Sequence, residues 1–171
     1  MLRLAVAAVI TVAPLAACDN DDAADGVVGP ADAIRAIVAW QADEQEPVLD
    51  DGGEAGLPVI FVVAGDGATI DVGVQADVAS AMVDTATVRF ADDAEDAFDP
   101  DVEGEPVRDS GVMLLVGPIP EARRTISVEV DRYQTVDDWE ALQMEITADA
   151  RPTGTDDESV SVASVTAVTP P

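Results

Sequence analysis

The sequence contains no histidine and no lysine, and it has one cysteine in 171 residues. Histidine is the commonest general base and metal ligand, so its absence excludes the usual catalytic triads and histidine-based zinc sites. Without lysine, the chain has neither a Schiff-base nucleophile nor the lysine of a phosphate-binding P-loop. A single cysteine forms no intramolecular disulfide, so packing alone must stabilise the folded domain.

Positive charge is scarce as well. Aspartate and glutamate number 35 against 8 basic residues, all of them arginine, and the formal net charge is −27. This charge repels phosphate backbones, so we expect no nucleic-acid partner. Because the acids are spread along the whole chain, we favour a role in solubility in a salty medium, and affinity for cations or basic partners is the alternative. A melting temperature that does not rise between dilute buffer and molar KCl would contradict salt adaptation.

The N-terminus combines one basic residue with a short apolar segment. Arg3 precedes the 14-residue segment Leu4 to Ala17. At ~1.5 Å per residue this segment is too short to span a bilayer core of about 30 Å. Its length and flanks are typical of the apolar region of a secretory signal peptide.

The end of this segment runs directly into the only cysteine. Leu15-Ala16-Ala17-Cys18 matches the lipobox position by position, and residues 1–18 resemble a bacterial lipoprotein signal peptide. The resemblance implies that residues 1–17 are removed and that a diacylglyceryl group is attached to the Cys18 sulfur. It therefore implies a protein anchored in the cell membrane by lipid, on the extracytoplasmic side. The alternative is a secreted protein with a chance cysteine near its cleavage site.

The rest of the chain divides into a tether and a domain. Residues 18–29 are acidic, small and glycine-containing, which predicts a flexible tether. Residues 30–171 suit a single domain in length. Apolar spacing predicts an amphipathic helix over 31–44, a strand buried on both faces over 57–64, and a second helix capped by Asp71.

The remaining segments are predicted strands. They are either uniformly apolar or alternate apolar and polar residues, and they cover 86–91, 112–116, 125–133, 139–148 and 159–168. This order predicts an α+β fold: a two-layer domain with two helices packed on one face of a mostly antiparallel sheet of about five or six strands. We expect the Ser-, Thr- and Glu-rich face of the last strands to contact water.

One acidic loop, over residues 99–109, has a pattern that suits a cation. Asp99, Asp101 and Glu103 alternate before Gly104, as oxygen ligands do at the start of calcium-binding loops. Position twelve is Ser110 rather than a bidentate glutamate, so the segment is not an EF-hand. A calcium-dependent module using this loop is an alternative function, and a solvated acidic loop is the simpler interpretation. If millimolar calcium does not change the thermal stability of the protein, the calcium-dependent function is excluded.

Other candidate sites are weaker. A small carboxylate-based hydrolase needs only two well-placed acids, but 35 acids bring some pairs together in almost any fold. Asp109-Ser110-Gly111 lacks the glycine-flanked elbow of a serine hydrolase. Trp40, Tyr133 and Trp139 could stack on a ligand, and the alternative is that they pack at the core or its rim.

We therefore expect a non-catalytic binding or interaction module of the cell envelope. Cys18 attaches it to the membrane, and its partner is an unidentified envelope protein or ligand. No residue is assigned to a metal, and no cofactor is expected. The sequence alone does not distinguish this function from the calcium-dependent and hydrolase alternatives.

Overall fold

The computed structural model describes residues 26–45, 56–148 and 160–168. The helices and strands in chain order are α1 (Pro30–Glu44), β1 (Val59–Ala64), α2 (Val72–Ala81), β2 (Thr87–Ala91), β3 (Val112–Val116), β4 (Thr125–Tyr133), β5 (Trp139–Ala148) and β6 (Val160–Val168). They confirm the predicted elements to within two residues at almost every boundary. Cys18 lies outside the described residues. Within them, no helix has the length and apolar character needed to cross a membrane.

The six strands form one mixed sheet in the order β2-β1-β3-β4-β5-β6. β1 is parallel to both β2 and β3, whereas the β3–β4, β4–β5 and β5–β6 pairs are antiparallel. The parallel strands occur where a helix or a long loop connects them, as a parallel crossover requires. The fold is thus α+β, with a mostly antiparallel sheet, as the sequence predicted.

Both helices begin at side chains that satisfy free backbone donors. The Asp32 carboxylate accepts a hydrogen bond from the Gly29 N–H at 3.1 Å, and Pro30 occupies the first turn, where it has no hydrogen bond to lose. The Asp71 carboxylate accepts from the Gly73 N–H at 2.7 Å, which confirms the predicted cap. Each such cap stabilises a helix by about 1 kcal/mol.

The main core lies between the helices and one face of the sheet. α1 contributes Ile34, Ile37 and Val38, all essentially buried. The shorter α2 contributes Val78, and Met82 follows directly after it. Alternate sheet residues complete this core, among them Val112, Leu114, Val128, Val130, Met144 and Ile146.

A second, smaller core covers the other face of the parallel strands. A 3₁₀ turn, Ala94–Ala97, packs there with Phe98, which is buried. Phe61, Val63, Val107 and Met113 belong to the same cluster. This cluster explains why β1 is buried on both faces. On β4, Ser127 and Glu129 lie beyond the cluster and are exposed.

The folded part begins before the first helix. Val28 is fully buried, and its N–H donates to the Arg123 carbonyl at 2.8 Å. Residues 26–29, at the end of the predicted tether, therefore belong to the described domain.

Candidate functional site

A cavity of about 540 Å³ lies beside the C-terminal end of α1. Gln41, Glu44 and Gln45 form one wall, and the opposite wall includes Val107 and Arg132. We call this the α1 cavity. Its volume is within the range of about 300–1,000 Å³ that is typical of small-ligand sites.

Gln41 is the unusual residue of this cavity. It is 2 % exposed, and it is the one polar residue in the buried set of the described chain. Within the residues that the structure describes, its Oε1 atom has no hydrogen-bond partner, and neither does the buried Oε1 of Gln45. A buried acceptor without a partner costs about 1–3 kcal/mol. Two residues that line the cavity, one in α1 and one directly after it, therefore each carry a buried amide oxygen without a partner among the described residues.

The end of α1 is also electrostatically negative. The last turn contains no basic residue, so no cation offsets the negative end of the helix dipole. Glu44 adds a carboxylate in that turn. The Gln41 carbonyl accepts the Gln45 N–H at 3.2 Å, which closes the helix. This wall thus combines two buried amide oxygens with the exposed carboxylate of Glu44 and the negative end of the helix dipole.

In the wall opposite α1, backbone N–H and C=O groups are already hydrogen-bonded within the protein. The Gln134 carbonyl accepts from the Val107 N–H at 2.9 Å, and the Gln134 N–H donates to Asp138 at 3.0 Å. The Thr135 hydroxyl accepts from the Asp138 N–H at 3.0 Å. Among the described lining residues Arg132 is the one cation, and it donates to Glu140 at 2.9 Å.

A strained segment reaches the cavity, where Ser110 and Gly111 are lining residues. Asp109 and Ser110 have φ values of 56° and 53°, in the left-handed region that costs L-residues about 1–2 kcal/mol each. An ion pair with Arg89 holds Asp109, and Gly111 passes so close to β1 that a Cβ would lie 2.7 Å from the Val59 carbonyl oxygen. The sequence singled out Asp109-Ser110-Gly111 as a weak nucleophile segment, and the fold brings Ser110 and Gly111 to the α1 cavity.

A second cavity, of about 200 Å³, lies at the carboxyl ends of β1 and β3. Asp66, Glu129 and Asp131 line it. Burial, followed by the neighbouring Glu129 charge, raises the pKa of Asp131 above its ordinary value. Burial and the Asp131 charge likewise raise the pKa of Tyr133. Because Glu129 and Asp131 are alternate residues of β4, their side chains share a face, which is the acid pair that sequence alone did not single out.

The acidic loop over 99–109 is closed by its own backbone. The Asp99 N–H donates to the Pro106 carbonyl at 2.9 Å, and the Asp99 carboxylate accepts the Asp101 N–H at 3.1 Å. In the part of the chain that the structure describes, no three acidic side chains are grouped so as to hold a metal ion. The calcium interpretation of this loop stays a prediction.

The three candidate aromatic residues lie away from the α1 cavity lining. Tyr133 and Trp139 stack, with ring centroids 5.8 Å apart and planes 18° from parallel. Phe98 meets Tyr133 edge-on at 6.0 Å. Trp40 is partly buried against the main core. These contacts support packing roles at the core and its rim.

Sequence reasoning did not identify the α1 cavity, although it carried one signal. Gln41 is four residues after Ile37, so it continues the apolar stripe of the predicted helix with a polar group. No protein-family model matches the chain, and comparison with curated proteins and with solved structures gave no match.

Proposed function

We propose that this chain is a lipid-anchored extracytoplasmic domain that binds a small polar ligand in the α1 cavity. The observation that carries the binding role is that the buried Oε1 of Gln41, a residue that lines a cavity of about 540 Å³, has no hydrogen-bond partner among the residues that the structure describes. A ligand that donates a hydrogen bond to this oxygen would remove the cost of an unsatisfied buried acceptor. Without such a ligand, the buried glutamine oxygen lowers the stability of the folded protein.

The anchoring role is supported by the lipobox, Leu15-Ala16-Ala17-Cys18, after a short apolar segment. Its test is fractionation of bacterial cells that express the full chain. The wild-type protein is expected in the membrane fraction and should incorporate labelled fatty acid. Cys18→Ala should be unlabelled and soluble. Membrane retention of Cys18→Ala would contradict the lipid anchor.

The binding role is tested by amide NMR of the full-length protein in detergent micelles. The probes are a mixed library of small amines, polyols, amides and carboxylates, so the test is neutral about ligand class. At least one probe is expected to shift resonances of Gln41, Ser110 and Gln134, and Gln41→Met should abolish these shifts.

Gln75→Met is the matched control, because Gln75 is a helical glutamine whose Nε2 donates to the Ile70 carbonyl at 3.0 Å, away from the α1 cavity lining. This variant should retain the shifts. The proposed site would be contradicted if the resonance shifts persist in Gln41→Met. It would also be contradicted if no probe shifts the resonances of the cavity residues.

A carboxylate-based hydrolase is the second candidate, and it is favoured by one observation. Asp131, with its raised pKa, lines a cavity together with Glu129. Acid–base hydrolysis uses two nearby carboxyl groups, one of which must hold a proton near neutral pH. This candidate would be supported if the wild type hydrolyses aryl glycosides and Asp131→Asn does not. Equal turnover by the wild type and Asp131→Asn would exclude it.

A further inference from the structure

The geometry of the α1 cavity points to a specific class of ligand. We infer that it binds a small organic cation with N–H donors, such as a primary ammonium or a guanidinium group on a short aliphatic body. This inference rests on the proposed ligand-binding function and specifies the chemistry of the same site.

The buried oxygens and the carboxylate at the C-terminal end of α1 are acceptors, so the ligand that pairs with them must be a donor. The Oε1 atoms of Gln41 and Gln45 are buried and have no hydrogen-bond partner in the described part of the chain, and Glu44 adds a carboxylate to the same wall. Glu44 is three residues after Gln41, so these two share one face of the helix, and Gln45 is the residue that follows the helix. Because the two amide oxygens have almost no accessible surface, a ligand reaches them only with a small movement of the side chains, and it must then donate several hydrogen bonds from one end. An ammonium group has three N–H donors and a guanidinium group has five.

The charge of the site favours a positive ligand. The final turn of α1 lacks a basic residue, so the negative end of the helix dipole and Glu44 act together. Across the cavity, Arg132 Nη2 donates to Glu140 Oε2 at 2.9 Å, and the carboxylate neutralises the guanidinium charge. The net charge of −27 for the whole chain draws small cations towards the surface. Hydrogen bonds from a charged donor are roughly twice as strong as neutral ones.

The remaining lining describes the rest of the ligand. The apolar lining consists of the partly exposed Pro106 and of Val107 and Val112, which are buried in the two cores. Glu44 is the one carboxylate among the described lining residues, whereas calcium prefers six to eight oxygens with several carboxylates. The cavity therefore suits a cationic head with an aliphatic body better than a bare metal ion.

The experiment is calorimetric titration of the full-length protein in detergent at physiological salt. The main probe is n-butylamine hydrochloride. Tetramethylammonium chloride has the same charge without N–H donors, glucose has neutral donors, and calcium chloride is a metal cation. We expect n-butylammonium to bind at least about tenfold more tightly than tetramethylammonium, as expected for loss of a charge-assisted hydrogen bond.

The variants test which residues hold the cation. Gln41→Met should weaken n-butylammonium binding by about tenfold, and Gln75→Met should leave it within about twofold. Gln45→Glu keeps an acceptor, removes the amide donor and adds negative charge, so binding should tighten several-fold. Weaker binding in Gln45→Glu would show that the site uses an amide donor, and would overturn the inference.

The panel separates failure of the ligand class from failure of the site. Binding of glucose or calcium that depends on Gln41, with none of n-butylammonium, would overturn the cation inference and leave the ligand-binding proposal intact. Equal n-butylammonium binding by the wild type and Gln41→Met would reduce the effect to nonspecific attraction by an acidic surface and overturn the inference. If no probe binds in a Gln41-dependent way, both proposals are contradicted.

Discussion

Arg132 and Glu140 face each other across β4 and β5 and form an ion pair of 2.9 Å at the wall of the α1 cavity. The pair neutralises the one cation among the described lining residues of that cavity. The negative character of the site therefore depends on Glu140, although Glu140 itself is not a lining residue.

Removing Glu140 should weaken cation binding with little effect on stability. Glu140→Gln leaves the Arg132 guanidinium unpaired, and we expect n-butylammonium affinity to fall about fivefold from charge repulsion at short range. The free energy of unfolding should change by less than about 1 kcal/mol, because both side chains are partly exposed. Glu145→Gln, an exposed change of equal charge on β5, is the calorimetric control. Equal losses in both variants would show that only bulk charge matters.

Gln41→Met should make the ligand-free protein more stable. Methionine has a similar length and no polar atom, so it removes a buried acceptor that lacks a partner. We expect the free energy of unfolding in urea to rise by about 1 kcal/mol. Gln75→Met loses the hydrogen bond to the Ile70 carbonyl, so its free energy of unfolding should fall by about 1 kcal/mol. A loss of stability in Gln41→Met would mean that the glutamine is satisfied in the free protein.

The pKa of Asp131 predicts a pH-dependent effect on stability. Burial and the Glu129 charge raise this pKa in the folded state, so folded protein holds the proton more tightly than unfolded protein. The free energy of unfolding therefore falls as the pH rises from below the unfolded pKa through the raised folded pKa, and it stays lowered above it.

Asp131→Asn should remove this penalty. We expect it to stabilise the protein at neutral pH by up to about 1 kcal/mol, since the carboxyl is partly exposed, and to give no advantage at about pH 3. Urea denaturation at both pH values measures the difference. Glu129→Gln should reduce the same pH dependence by removing the like charge. A variant that stabilises equally at both pH values would contradict the assignment.

The close approach of Gly111 to β1 predicts strong intolerance of a side chain. In Gly111→Ala the new Cβ would lie 2.7 Å from the Val59 carbonyl oxygen, so the backbone of one strand must shift. We expect a loss of about 1–3 kcal/mol. Ser110→Ala is the local comparison, because it adds no atom and Ser110 is exposed, and it should stay within about 0.5 kcal/mol. Denaturation midpoints that match in both variants would contradict the close contact.

The sequence predicted the elements well because their burial is one-sided or complete. β4 alternates Ile126, Val128 and Val130 with polar residues, and this period of two is visible without tertiary information. β1 is uniformly apolar because it has a core on each face. Asp71 was identified as a cap because short acidic side chains suit that position.

Strand order and the site were harder to predict. That β1 lies between β2 and β3 depends on pairing between distant segments, which local periodicity does not encode. The Glu129–Asp131 pair was hidden among 35 acids. Gln41 was visible as a polar residue in an apolar stripe, but the cavity beside it is formed by residues near 107 and 132, far away in the chain.

The most direct test of the account is to locate a bound cation by NMR. The full-length protein is mixed with n-butylamine hydrochloride, and nuclear Overhauser contacts are measured between butyl protons and protein methyl groups. We expect contacts to Val107 and Val112, which line the α1 cavity, and the loss of these contacts in Gln41→Met. Contacts to the exposed Val168 on β6 instead, or contacts that persist unchanged in Gln41→Met, would contradict it.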